Sequence, residues 1–453
     1  MKRLLGELME QAARNASCYY DNIPKPRWNR WGLLVIPYLA LLWYLSAFQE
    51  VITGDGYYYC AWTVHSTFPV VYPGLIWIFR FVIPDAQTAG TVVSMVAMCG
   101  NVMLVYLLAK RFMSDRWAFV TALLFALTPI SLRSGALVMS EATYLFFVLL
   151  SFYFFQRRDV LCGLFAGLAF LTRPEAAVFF GALVIFHFIK HRKVSDVAWM
   201  VGVFSVIVLL SSTVSWLAGA SFVLTRKAME LTNTGYKLEY FANLWSECET
   251  LVRCFGAPLA VLFLFAVWKK PLFLLLACVQ FFLFPLLSGF PNDWRFIFPY
   301  LPFVLIVTIA YLASIKQAYA IVAVVLIVIG FLPTLDYATR LDEPFTELKY
   351  AGIALKPYVN EQTILMGKKS YTAFYAGLGT KQFIHIPNVS LAELHSQAKL
   401  RGVTYLVASR RVMQIFHPQL LGLFDSVQCA GKFIPFGRMY PGTGHEVIIL
   451  GVK

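Results

Sequence analysis

Charged side chains at the edges of long apolar runs are expensive, so each one in this chain demands a reason. They recur at Asp55 within Gly54-Asp55-Gly56-Tyr57-Tyr58-Tyr59, at Arg133, and at Glu141 within Met139-Ser140-Glu141-Ala142. Arg173 and Glu175 flank Pro174, and Asp293 and Arg295 flank Trp294. A carboxylate such as Asp55 can take the proton of an attacking hydroxyl. A guanidinium fork matches the oxygens of a phosphate and can stabilise the charge that develops on one as it leaves. Group transfer from a phosphate-bearing substrate at a membrane face is the chemistry these residue types allow. Each also has a plainer reading. Gly-Asp-Gly is ordinary turn chemistry, Glu141 suits a helix N-terminus, and Arg173 and Arg295 suit interfacial anchors, the latter beside Asp293.

Several other chemistries have no motif here. HExxH, a Walker A loop, a strand-led GxGxxG and an Asp-x-Asp pair are all missing. The 8 cysteines form no CxxC pair; Cys248 and Cys254 share one segment, where a disulfide and two free thiols are both open readings. The histidines, His187 and His191 included, are scattered and read as structural.

The elements that must position these residues are membrane helices. Of 453 residues, 59% are hydrophobic and only 14% charged, against about 25% charged in soluble domains. The net charge of +14 resides in short segments between apolar runs rather than on one stripe, which is the pattern of cytoplasmic flanks and not of a nucleic-acid binder. Runs near 32–48, 87–109, 117–132, 140–156, 160–173, 175–189, 197–218, 255–268, 272–290, 296–314 and 318–335 predict about eleven helices, since only helices or closed barrels satisfy their backbone in lipid. The three between 140 and 189 are short. Basic connectors at Lys110–Arg116, Gln156–Arg158, Lys190–Lys193, Trp268–Lys270 and Ser314–Lys316 alternate along the chain, so all lie on the side of the N-terminus. The expected organisation is a cytoplasmic segment 1–31, a membrane region 32–335 with a long first external loop 49–86, and an extracytoplasmic domain 336–453. In that first loop, Val71–Val82 is apolar but too short to span, and predicts a helix lying in the interface. The tail alternates strand-like runs (363–366, 382–386, 403–407, 446–450) with helical ones (371–378, 391–401, 418–424), which predicts a small α/β domain.

With that organisation, the chain resembles the C-type (GT-C) integral-membrane glycosyltransferases, in particular the protein mannosyltransferase-like and aminoarabinose transferase-like families. The resemblance spans about 30 to 335. It is carried by Gly54-Asp55-Gly56-Tyr57-Tyr58, by Met139-Ser140-Glu141-Ala142, by Gly163 through Glu175, and by Asp293-Trp294-Arg295-Phe296-Ile297-Phe298-Pro299. It implies an inverting glycosyltransferase with Asp55 as general base, and substrate binding by Glu141, Arg173, Arg295, Tyr57 and Tyr58. The implied partners are a polyprenyl-phosphate sugar donor, membrane lipids, and a glycan, lipid or protein acceptor, at the extracytoplasmic face of a bacterial inner (plasma) membrane. Many members carry an acidic pair in the first loop, whereas Asp55 is followed by Gly56; no metal or other cofactor is therefore expected. The alternative class, a transporter or lipid flippase, would also place charges among membrane helices, but such proteins tend to show paired halves. This chain shows no internal repeat.

Overall fold

The structure is a computed structural model and describes residues 29–49, 51–63, 68–155, 157–191, 194–218, 240–268, 270–279, 294–339, 345–425 and 432–452. The basic segment 1–28, the connector positions 156, 192–193 and 269, most of the 219–254 loop, the second half of the 272–290 span and Asp293 lie outside the described residues. The chain divides into two compact units, Met1–Phe48 with Val64–Leu341, and Gln49–Thr63 with Asp342–Lys453.

The first unit is a multi-pass membrane bundle. Among the described residues four helices are long and apolar enough to cross a membrane: Ala86–Ala109, Val194–Leu217, Trp294–Leu312 and Gln317–Leu335. The number rises to six if each of two bent pairs is one span. Ala86–Ala109 opens on Asp85, whose carboxylate accepts from the Thr88 N–H at 2.7 Å, satisfying one of the donors a helix start leaves open. This helix runs through the core with 72% of its span buried, whereas Val194–Leu217 is only 17% buried. The latter turns Val206, Leu209, Leu210, Val214 and Trp216 outward, as a helix facing lipid does. Val71–Phe79 is helical, as expected of the first external loop, with Trp77 and Ile78 exposed.

Two breaks have local causes. The run expected as one span over 117–132 is split into Asp115–Leu127 and Pro129–Ala136, bent by 62°. A residue before proline is pushed out of the helical region, and Thr128 accordingly has ψ 128°. The segment 240–254, expected as loop, is instead the amphipathic helix Tyr240–Phe255, which meets Ala257–Val267 at 113°. The corner is Gly256 at φ +79°, where a Cβ would lie 2.5 Å from the Gly330 carbonyl oxygen. The three runs read as short are short helices, Glu141–Phe154, Asp159–Phe170 and Ala176–His191. At 1.5 Å per residue the second reaches only about 18 Å, well under a hydrocarbon core of about 30 Å. It packs closely on Val194–Leu217 through small residues: a Cβ on Gly163 would sit 2.3 Å from the Met200 carbonyl oxygen, and one on Gly167 3.0 Å from Ile207. Small residues let membrane helices approach in this way.

The second unit has a mixed sheet with strands β1 (Leu365–Gly367), β2 (Phe383–His385), β3 (Tyr405–Ser409), β4 (Phe433–Met439) and β5 (Val447–Val452), ordered β2-β1-β3-β5-β4. β1 pairs in parallel with β2 and β3, while β5 pairs antiparallel with β3 and β4. The sequence pattern anticipates every strand except β4. That strand reads Phe-Ile-Pro-Phe-Gly-Arg-Met, with a register irregularity between Pro435 and Gly437, and it occupies a sheet edge, where proline and bulges are tolerated. Leu391–Leu400 starts with a capping box between Ser390 and Glu393. Buried Glu446 joins the sheet to Arg410 at 2.7 Å and to Arg438. Burial pushes its carboxyl up, but the hydrogen bonds and charges of the two guanidiniums outweigh that and hold it below the usual carboxylate range.

The close approach of the Asp159–Phe170 and Val194–Leu217 helices gives a stability test. Gly163→Leu is expected to cost about 1–3 kcal/mol by overpacking. Gly181→Ala, where a Cβ meets nothing within 4 Å, is expected to leave stability unchanged or slightly raised. Thermal unfolding in detergent checks both; a melting point for Gly163→Leu equal to that of the parent would show that the helices have room to part.

Candidate active site

In the membrane unit the charged side chains singled out from the sequence converge. Glu141 is the first residue of its helix and is 1% exposed. Its Oε1 accepts from Arg173 Nη1 at 2.6 Å and lies 3.7 Å from Arg295 Nε. Arg173 Nη2 also donates to Glu175 Oε1 at 3.2 Å. The Arg173 guanidinium stands 5.6 Å from the Phe296 ring, and that of Arg133 stands 5.0 Å from Trp294. Glu141 thus does both things its position allows: it lies in the first turn, where the helix dipole favours a negative charge, and it is shared by two guanidiniums.

Local sequence explains why these residues meet. Thr172-Arg173-Pro174 ends one short helix, with the Arg173 N–H donating to the Ala169 carbonyl before Pro174 stops the pattern. Pro129 opens the short helix that carries Arg133. Trp294–Ile297 opens the late span and turns 3-10 at Phe298–Tyr300. Three guanidiniums, of Arg133, Arg173 and Arg295, and the carboxylates of Glu141 and Glu175 share this corner. Arg295 is the most accessible of the ion-paired members, its side chain 29% exposed against 12% for Arg173 and 1% for Glu141. Such an arrangement can hold and polarise an anion: the buried carboxylate fixes the forks, and a guanidinium has five N–H donors to share.

Sequence reasoning passed over Glu247. It lies on the Tyr240–Phe255 helix, which packs on Trp294–Ile297, and is 2% exposed. The signal was the helical spacing of apolar residues in that segment, which was read as loop. No disulfide joins Cys248 and Cys254, which lie on the same helix.

Asp55 belongs to the other unit. Its loop forms the helix Gly54–Cys60, with the Gly56 N–H donating to Thr53 Oγ1 at 2.9 Å, and Asp55 occupies the first turn. Gly-Asp-Gly is therefore a helix start and not a free turn. The structure brings Tyr57 into the core of this unit, fully buried and edge-on to Phe374 and Phe383; burial raises its hydroxyl above the usual range. Tyr58 engages His385, with Oη 2.8 Å from Nε2. His385 Nδ1 lies 3.2 Å from the Lys368 carbonyl oxygen. A carbonyl only accepts, so Nδ1 carries the proton and Tyr58 donates to Nε2. Burial holds the His385 imidazole below its usual range, in keeping with this neutral form. The Ile52 N–H donates to Tyr375 Oη at 2.9 Å, so the loop is tied to the C-terminal domain at both ends of its helix.

Comparison with known proteins gives the fold. Residues 67–216 match the family described as dolichyl-phosphate-mannose-protein mannosyltransferase. No curated protein sequence matches the chain. Among solved structures, the chain is similar to ArnT from Cupriavidus metallidurans in the apo state, with 14% identity, TM-score 0.58, and coverage of 94% of this chain and 99% of that one. The same enzyme bound to undecaprenyl phosphate gives 12% identity, TM-score 0.58, and coverage of 93% and 98%. AglB, the oligosaccharyltransferase of Archaeoglobus fulgidus, in complex with an inhibitory peptide and a dolichol-phosphate, gives 13% identity, TM-score 0.51, and coverage of 91% and 74%. The chain therefore has an ArnT-like fold. Its likeness in sequence to the mannosyltransferase family is confined to residues 67–216.

The shared carboxylate sets a stability expectation. Removing Glu141 leaves a buried guanidinium short of a partner, and breaking a buried pair on one side costs about 3–5 kcal/mol. Glu141→Leu and Arg173→Leu are each expected to lower the melting temperature markedly. The double variant should melt closer to the parent than the sum of the two losses, because contacting residues are not additive. Simple additivity in a thermal double-mutant cycle would mean that the pair carries no coupling.

Proposed function

We propose that this protein moves a sugar from a polyprenyl-phosphate carrier to an acceptor on the extracytoplasmic side of a bacterial inner membrane, with inversion at the anomeric carbon. The observation that carries the reading is the convergence of Arg173 and Arg295 on the single buried carboxylate Glu141. A lipid-borne phosphate partitions into the bilayer and needs cationic stabilisation where its leaving oxygen gains charge. The relatives support the donor class, since one solved structure of ArnT holds undecaprenyl phosphate and one of AglB holds a dolichol-phosphate. The alternating basic connectors support about eleven spans with the N-terminus in the cytoplasm and the C-terminal domain outside. The acceptor is a glycan, lipid or protein bearing a nucleophilic oxygen or nitrogen; the AglB complex contains a peptide.

In this reading Asp55 accepts the proton of the acceptor as its oxygen bonds to the anomeric carbon. The bond from that carbon to the phosphate oxygen breaks, and its electron pair leaves with the carrier phosphate. Arg295, and with it Arg173, holds the leaving phosphate through paired N–H donors. Glu141 holds the two guanidiniums in place, and Tyr58 keeps the Asp55 helix seated through His385. Among the described residues no three His, Cys, Asp or Glu side chains gather as an ion site, and no step here runs through a metal.

The test is reconstituted protein incubated with a panel of polyprenyl-phosphate sugars, followed by release of the free carrier. Asp55→Asn is expected to lose about 10²–10⁴-fold in single-turnover rate with donor binding nearly intact. Activity within a few-fold of the parent would remove Asp55 from the proton transfer. Arg295→Ala should lose roughly ten- to hundredfold, as charge-assisted hydrogen bonds of about 1.5–3 kcal/mol imply. Arg295→Lys should recover only part, because an ammonium lacks the fork. A lysine variant as active as the parent, with alanine lowering only expression, would make Arg295 a membrane anchor.

A further inference from the structure

The sheet of the C-terminal domain has a topological switch point that the transfer chemistry leaves unused. Its parallel strands run β2-β1-β3. The connection leaving β1 turns toward β2, whereas the chain leaving β3 goes the other way, toward the β5-β4 edge. Neighbouring parallel strands whose exits diverge define a topological switch point, and open α/β sheets bind ligands outside the carboxyl ends of the strands there.

The residues at this point are cationic. Lys368 and Lys369 follow β1, Arg410 and Arg411 follow β3, and Phe416-His417 end the helix after β3. The two exits meet: Lys368 Nζ and Lys369 Nζ stand 5.3 and 4.9 Å from the Phe416 ring. Lys369 and Arg411 both stand over Phe345, at 5.5 and 4.7 Å. Glu347 balances part of this charge, with Oε1 3.8 Å from Arg411 Nε and accepting from Ser409 Oγ at 3.0 Å, and with His445 Nδ1 4.0 Å from its other oxygen. Arg410 is taken up by Glu446.

His417 is the second, independent sign. It is 3% exposed, and among the described residues neither ring nitrogen has a hydrogen-bond partner. Burial, and then the nearby Lys368 charge, hold its imidazole below the usual range, so it is neutral with an N–H to donate. A buried donor left unmade is costly, and an anionic oxygen beside Lys368 would satisfy it. Crowded ammonium groups and an idle N–H call for the same kind of ligand, one with several oxygens and negative charge.

We propose that the crevice at the carboxyl ends of β1 and β3, lined by Lys368, Lys369, Arg411 and His417, binds a phosphate group carried by the acceptor. The assignment of this anion to the acceptor rests on the transferase reading; the site itself does not. The crevice adjoins the Asp55 helix, because the imidazole of His385 joins the Lys368 carbonyl to Tyr58. An acceptor held by its phosphate at Lys368 would then be retained beside the loop that carries the base.

The experiment measures binding of radiolabelled inorganic phosphate to the full-length protein by equilibrium dialysis, in neutral detergent and in nanodiscs of zwitterionic or anionic lipid. Lys368→Gln, a partly exposed position expected to fold normally, should weaken binding about tenfold, the effect of losing one charge-assisted contact. His417→Phe should weaken it too, and Gly181→Ala, in the other unit, where a Cβ meets nothing within 4 Å, should not. Carrier release with water or a small neutral alcohol as acceptor should be the same in Lys368→Gln as in the parent, which separates this site from the transfer chemistry. Competition only in anionic nanodiscs would identify a lipid headgroup as the natural phosphate source; equal binding in both would identify a phosphate-bearing acceptor outside the bilayer. Phosphate binding that is absent, or unchanged in both Lys368→Gln and His417→Phe, overturns the proposal, whatever the carrier-release assay shows.

Discussion

A carboxylate that is 1% exposed at the start of a membrane helix must be neutralised, and Glu141 is neutralised by Arg173 with Arg295 close by. An isolated buried charge is far too costly to persist, so this one residue constrains three stretches of chain far apart in sequence. The helix ending at Phe170 must deliver Arg173, the one starting at Glu141 must begin at the same level, and the late span must open with Arg295. A shared counter-ion also keeps the guanidiniums from drifting toward bulk water. In the proposed transfer, forks fixed in this way would need no reorganisation as charge develops on the leaving phosphate, which is the condition for strong electrostatic stabilisation.

The helix breaks serve the same end. A straight helix over 117–132 would carry Arg133 along one axis, but Pro129 bends the chain by 62° and starts a second short helix with Arg133 in its last turn, against Trp294. Gly256 makes a sharper corner, where the backbone has φ +79° and Gly330 leaves no room for a Cβ. Short helices and corners would expose unpaired backbone groups if they faced lipid, and are tolerated where protein surrounds them. The close packing of Gly163 and Gly167 on the Val194–Leu217 helix supplies such cover on one side.

The C-terminal domain is organised around a different constraint. Its parallel β1-β2-β3 core ends in cations, and those ends are held over the faces of Phe345 and Phe416. The loop 49–63 is part of this unit: Tyr57 fills its core, and Tyr58 uses the neutral His385 as acceptor. The loop 49–63 is thus positioned by residues some 320 places later in the chain, as the Ile52–Tyr375 and Tyr58–His385 bonds show.

The sequence by itself determined the membrane class, the places of most helices and the α/β character of the tail, and it singled out the charged residues that meet at Glu141, because apolar run length, strand alternation and the rarity of charge near lipid are local signals. It also supplied the resemblance to GT-C enzymes, which the match over 67–216 and the ArnT-like fold bear out. It missed β4, because Pro435 and Gly437 contradict local strand preference at a position where only a sheet edge makes them acceptable. It missed the helix Tyr240–Phe255 and with it Glu247, because an amphipathic helix has too many polar residues to register as a span. Only the tertiary structure decided that Glu141 is shared by two guanidiniums, that Tyr57 is core, and that Lys368 and His417 stand together. Those are pairings between side chains distant along the chain, and they exist only once packing has fixed which ends of which elements meet.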